Sequence, residues 1–164
     1  MLNDKLFWFI IITLTCFHTF AKADQINCLV EAVYHEARSE RFMAQLSVAN
    51  VVLQRVTDRR FPNTICKVVH QGKYNRRGQP IRNKCMFSYW CDGKSERMRE
   101  TNALRKAIEV SELALQGVYV KRTFGATHYH ATYVTPNWSR SKNFKYLGRM
   151  GRHLFYVDTR KNLR

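Results

Sequence analysis

Two apolar stripes at helical spacing, separated by a short charged break, occupy residues 25–56 and commit this chain to a helical core. Ile26, Leu29, Val30, Val33 and Ala37 form the first stripe, with Asp24 placed to cap a helix over residues 25–37. The second runs from Phe42 to Val56. Phe42, Leu46, Ala49, Leu53 and Val56 share one face, and Val48, Val51 and Val52 widen it, so this helix is expected to be buried on most sides. Gln45 and Asn50 read as satisfied polar groups near a helix end. If the first helix continues, Glu40 also faces inward; the other reading of Arg38-Ser39-Glu40-Arg41 is a turn between the two helices.

The stretch from Glu31 to Glu40 carries the most suggestive chemistry. Glu31, Glu36 and Glu40 fall within ten residues. At about 100° per residue, Glu36 lies beside Leu29 on the edge of the apolar stripe, while Glu31 points well away. A carboxyl held against apolar surface has its pKa raised, because desolvation disfavours the charged form. That is the state a general acid needs near neutral pH. The same spacing also fits a solvated charged face with Arg38 as partner.

Further along, Phe61-Pro62-Asn63-Thr64 is a turn before a short helix over Ile65–His70. Gln71–Lys84, rich in cations and broken by Gly72 and Gly78, reads as a polar loop. In Cys85–Gly93, the aromatics Phe87, Tyr89 and Trp90 form either a small stapled core or a sugar-stacking wall. Ser88 there has no evident base and reads as structural or substrate-contacting. Ser95 can cap a third helix ending at Gly117, with Leu104, Ala107, Ile108, Ser111, Ala114 and Leu115 inward. Then the period changes. Thr127–Val134 reads as a strand that places His128 and His130 on one face. Pro136-Asn137-Trp138 ends it, and His153–Val157 is the last strand. The expected class is α+β, mainly helical with a small sheet, in one domain.

Met1–Ala23 reads as a secretory signal peptide: Lys5, the apolar run Leu6–Phe20, then Ala21-Lys22-Ala23. The expectation is export to the periplasm or the cell wall, with residues 24–164 as the working domain. Cys28, Cys66, Cys85 and Cys91 remain, an even count that suggests two disulfides with three possible pairings. Cys85–Cys91, closing a tight loop, with Cys28–Cys66 is the preferred pairing. A zinc site competes with that reading, but there is no Cys-x-x-Cys pair.

The net charge is +16 over 164 residues, and removing Asp4, Lys5 and Lys22 with the leader takes it to +15. Such a surface is drawn to polyanions. For an exported protein these are peptidoglycan, lipopolysaccharide or anionic lipid rather than nucleic acid. No Gly-x-Ser-x-Gly, His-Glu-x-x-His or phosphate loop is present. His128 and His130 are either two metal ligands, needing a third from Glu36, Asp92 or His153, or hydrogen-bonding histidines lining a cleft. The second reading is favoured, so no metal and no cofactor is expected.

At this point the motifs carry a resemblance. Cys28–Val56, reading CLVEAVYHEARSERFMAQLSVANVVLQRV, resembles the opening block of the SleB/CwlJ-type cell-wall hydrolases, and Phe61–Cys66 continues it. CMFSYWCDG over Cys85–Gly93 is similar to the family's middle block. Ala126–Ala131 with Val134, Pro136 and Trp138, then Gly151–Tyr156, is similar to its closing block. The resemblance implies a lysozyme-like or lytic-transglycosylase-like helical core that cleaves peptidoglycan glycan strands, acting as a monomer. It places the catalytic acid at Glu36. Glu40, Gln45, Phe87, Ser88, Asp92, His128, His130 and Trp138 would support it or meet substrate. A hydrolytic muramidase, a metal-dependent amidase and a non-enzymatic wall-binding module are the alternatives. Two positions depart from the family pattern: Ser39 and Ala44 stand where glycine is usual, and a positive φ at residue 39 would strain the serine.

Overall fold

The computed structural model describes residues 23–99 and 101–160. The expected leader lies outside them except for Ala23. A first helix, α1, covers residues 23–37, so Asp24 sits inside it rather than at its cap. There follow α2 (Phe42–Thr57), α3 (Ile65–Val69), β1 (Gly72–Tyr74), β2 (Pro80–Cys85), α4 (Asn102–Leu115), β3 (His128–Ala131), β4 (Phe144–Met150) and β5 (His153–Asp158). Short 3-10 turns lie at Ser88–Cys91, Lys121–Thr123 and Asn137–Arg140. The class is α+β, as the periodicity implied.

The helix α2 is central. Leu46, Ala49 and Val52 join Leu29 and Val33 of α1, Val68 and Val69 of α3, and Ala107 and Val110 of α4 in the main core. Val48 and Val51 join Ala37, Ala126 and Phe155 in a second cluster beneath the sheet. Packing on two sides explains the breadth of its apolar stripe. Phe42, expected inside, is 40% exposed on the first turn. On α4 the buried positions include Val110, while Ile108 and Leu115 are exposed.

The sheet has the order β3-β5-β4, all antiparallel, with His128 opposite Tyr156 and Tyr129 opposite Phe155. The strand β4 was not visible in the pattern. It is an edge strand containing Lys145, Gly148 and Arg149, and its ladder with β5 holds it where alternation does not. The expected Thr127–Val134 strand is shorter and stops at Ala131.

Two other expectations are corrected. The polar loop Gln71–Lys84 is a hairpin, β1 with β2, closed by Asn75, whose side-chain oxygen accepts from the N–H groups of Arg77 and Gln79. Its strands are solvent-exposed, so hydrogen bonds rather than an apolar face define it. The third helix does not begin at Ser95. It starts after Thr101, whose hydroxyl accepts from the Leu104 N–H, and residues 95–99 run without regular structure. The disulfides are Cys28–Cys66 and Cys85–Cys91. The first ties α1 to α3. The second fastens the hairpin to the turn at Ser88–Cys91. Among the described residues, no helix is long and apolar enough to cross a membrane.

Candidate active site

Glu36 stands near the C-terminal end of α1, in the lining of a cleft of about 760 Å³. The helix puts it there because Val33 and Ala37, on the adjoining face, are buried in the core. Three groups from distant parts of the chain define its surroundings. The Tyr129 hydroxyl, on β3, donates to Glu36 Oε2 at 3.2 Å. Arg55, on α2, is only 4% exposed and acts on Glu36 through its charge. Phe87 and Tyr89, from the disulfide-stapled segment, line the same cleft.

Burial raises the pKa of Glu36 above its ordinary value, against the lowering effects of the Tyr129 hydrogen bond and the Arg55 charge. Tyr129 is itself pushed well above the usual tyrosine range, by burial first and by Glu36 second, so it remains a proton donor. Arg55 is held by a 2.7 Å hydrogen bond from its Nε to the Thr127 carbonyl. Its guanidinium carbon lies 5.2 Å from the ring centres of both Phe61 and Phe87. One terminal nitrogen, Nη1, has no hydrogen-bond partner among the described residues. Guanidinium remains charged even when desolvated, so a positive charge is fixed beside the carboxyl.

Glu40 is employed differently. Arg152 Nε donates to its Oε1 at 2.7 Å, and the Arg152 backbone N–H donates to Oε2 at 3.2 Å. Desolvation would raise the Glu40 pKa, but the Arg152 hydrogen bonds and charge together hold it below the ordinary value. The Ser39 hydroxyl accepts from the same guanidinium at 2.6 Å. Ser39 is not at positive φ, so the departure from glycine costs no backbone strain there. Gly151 is required instead: at φ +58°, a side chain on it would run into the Glu40 carboxylate and Ala44. Gln45 is buried and donates to the Glu40 carbonyl at 2.9 Å, which closes the turn between α1 and α2.

Of the other residues singled out by sequence, Phe87, Ser88, Asp92 and His130 line the cleft with Glu36. Phe87 is buried, and Asp92 accepts from the Lys94 N–H at 2.8 Å. His128 and Trp138 are not in that lining. They pack against each other and against Phe144, with ring centres about 5 Å apart. His128 also meets the Thr127 hydroxyl at 3.0 Å, and burial lowers its pKa to about 4. His130 shares that face of β3, as alternation implied, and its Nε2 lies 3.2 Å from the Tyr156 hydroxyl. The cleft also receives Tyr129, the residue between the two histidines. Among the described residues, no group of three His, Cys, Asp or Glu is placed to hold a metal ion.

Tyr129 and Arg55 were overlooked in the sequence. The signal for Arg55 was a single cation at three and four residues from Val52 and Val51, on an apolar face. For Tyr129 it was the same alternation that paired the histidines.

The fold is that of the SleB catalytic domains. The catalytic domain of the Bacillus cereus SleB protein matches with a TM-score of 0.58 and 26% identity, over 82% of this chain and 90% of that one. The catalytic domain of the germination-specific lytic transglycosylase SleB from Bacillus anthracis gives a TM-score of 0.59 and 26% identity, over 80% and 93%. In sequence, a spore cortex-lytic enzyme of Halalkalibacterium halodurans is 28% identical over 133 residues, which are 80% of this chain and 34% of that protein. One from Bacillus cereus is 42% identical over 48 residues, which are 29% of this chain and 18% of that protein. The chain thus spans 34% or less of these relatives' length. Residues 39–156 match the family described as Cell Wall Hydrolase, Hydrolase_2. The chain belongs to this cell wall hydrolase family.

Proposed function

We propose that the chain is a peptidoglycan-cleaving enzyme that cuts the glycan strand between N-acetylmuramic acid and N-acetylglucosamine, as a lytic transglycosylase. The observation that carries this reading is the burial of the Glu36 carboxyl in the cleft against the Tyr129 hydroxyl, which donates to it at 3.2 Å. Glu36 is desolvated there, and the groups that act on it are Tyr129 and Arg55, with no carboxylate among them. One such group suffices for the reaction. Neutral Glu36 protonates the departing glycosidic oxygen. The resulting carboxylate then takes the proton of the muramic acid 6-hydroxyl as that oxygen bonds to C1, giving a 1,6-anhydro end with no water consumed. Arg55 and Tyr129 favour the charged form in the second half of the cycle. The likeness to the germination-specific lytic transglycosylase SleB from Bacillus anthracis supports the same choice.

Asp92 lines the same cleft and favours a second reading, a hydrolytic muramidase with two carboxylates. Mass spectrometry of soluble fragments from peptidoglycan separates the two. Muropeptides ending in 1,6-anhydromuramic acid are expected. Reducing-end muramic acid would replace the transglycosylase with the muramidase. Free stem peptides with intact glycan would remove Glu36 from the chemistry.

A further inference from the structure

Glycan cleavage acts on uncharged sugar rings, yet part of this cleft is lined by cations that the mechanism does not use. Lys94, Arg97 and Arg99 reach it from the irregular segment after the second disulfide, and Arg38 from the turn after α1. All four are exposed. Among the described residues, Arg38, Arg97 and Arg99 form no ion pair, and Lys94 stands 3.9 Å from Asp92 Oδ2. The row continues onto the hairpin, where the Arg82 guanidinium lies within 4.0 Å of the place a side chain on Gly93 would occupy. Asp92, Glu96 and Glu100 balance the three cations within the segment itself, and Arg38 and Arg82 leave the whole row with a net positive charge. The lining contributed by Ala131, Tyr133 and Val134 has no formal charge, and Tyr133 is 84% exposed.

A cleft with one cationic lining and one uncharged lining that presents Tyr133 suits a strand with the same division. Sugar faces pack on aromatic surface. Carboxylates on the strand's substituents seek guanidinium and ammonium groups. In peptidoglycan those carboxylates are on the stem peptides carried by muramic acid. We infer that Lys94, Arg97 and Arg99 form a recognition rim for stem-peptide carboxylates, so that the cleft prefers peptide-bearing glycan to naked strands. This rests on the glycan-cleaving reading above.

The test compares kcat/KM on peptide-bearing peptidoglycan and on the same strands stripped of peptides by an amidase, with the lactyl carboxylate that hydrolysis leaves on each muramic acid capped as a methylamide. Three exposed charge contacts should give the wild-type protein roughly a tenfold preference, expressed in KM. About 0.5 M salt should erase most of it. The triple variant Lys94→Gln/Arg97→Gln/Arg99→Gln should bring the ratio close to one. Lys73→Gln/Arg76→Gln/Arg77→Gln, which removes the same charge from the hairpin, should leave the preference in place. Equal wild-type rates on both substrates would overturn the rim. So would a hairpin variant that loses the preference as fully as the rim variant, which would mean a general polyanion tether. Binding of Glu36→Gln protein to the two preparations reads the rim without cleavage. A preference in binding with no glycan cut by the wild type would sink the proposed reaction and leave the rim standing.

Discussion

Glu36 and Glu40 are the same residue type, four positions apart, at the end of one helix, and the fold drives them in opposite directions. Glu36 meets a tyrosine hydroxyl, aromatic side chains and a guanidinium that acts through its charge, and its pKa rises. Glu40 meets Arg152 through two hydrogen bonds, and its pKa falls. One becomes an acid that can hold its proton. The other becomes a permanent anion that ties the turn after α1 to the turn between β4 and β5. Motif proximity therefore says little about shared chemistry; what decides is whether a cation is within bonding reach and whether water is excluded.

The largest expected effect separates the two by activity. Glu36→Gln should lower fragment release by roughly 10²–10⁴-fold, with circular dichroism unchanged. Glu40→Gln should cost less than about tenfold, because it loosens a turn and removes no proton donor. Comparable losses in both would erase the distinction.

Opening Cys85–Cys91 should act on the Glu36 side alone. A double serine variant frees the segment bearing Phe87 and Tyr89 and should lower stability by about 2 kcal/mol, on loop-closure grounds. Cleavage should fall with it, while a double-mutant cycle of Glu40 with Arg152 stays the same. A change in that coupling would show that the two sites are not independent.

Tyr129→Phe removes the hydrogen bond that favours the Glu36 carboxylate. The Glu36 pKa should rise further, so the alkaline limb of the pH–rate profile should move upward and the maximal rate should fall several-fold. An unmoved limb would detach Tyr129 from Glu36 in solution.

The smallest effects have opposite signs in pH. The raised Glu36 pKa means that its proton stabilises the fold below the unfolded value, near 4.5, and that this contribution is lost as pH rises through the folded value. Glu36→Gln should therefore match the wild type in acid and exceed it increasingly as pH rises. Glu40 has a lowered pKa, so its contribution is present above 4.5 and disappears as pH falls through the folded value. Glu40→Gln should melt lower at neutral pH, by no more than about 4 °C, and converge with the wild type in acid. Melting curves of all three proteins from pH 3 to pH 9 read both signs at once.

Much of the fold was legible because burial leaves a periodic mark. The helices α1 and α2 appeared as apolar stripes, α3 as a short helix after a turn, and both disulfides matched the preferred pairing. The hairpin left no such mark because its strands are solvent-facing, and β4 left none because its half-buried Phe144, Leu147 and Met150 do not alternate; backbone ladders hold both. The start of α4 was misplaced because Ser95 and Thr101 are equivalent caps in one dimension. Ser95 instead accepts from the Arg97 N–H, within the irregular segment that lines the cleft.

Spacing along single elements was enough to locate the helical core and to place Glu36 on the rim of an apolar stripe, and cysteine count with loop length pointed to the staples. That Tyr129 and Arg55 meet Glu36, that Arg152 claims Glu40, and that His128 and Trp138 pack away from the cleft came from the folding of distant segments onto one another. Those contacts join residues up to 112 positions apart. Charge state depends on such long-range neighbours, through desolvation and Coulomb interaction, and no local pattern records them.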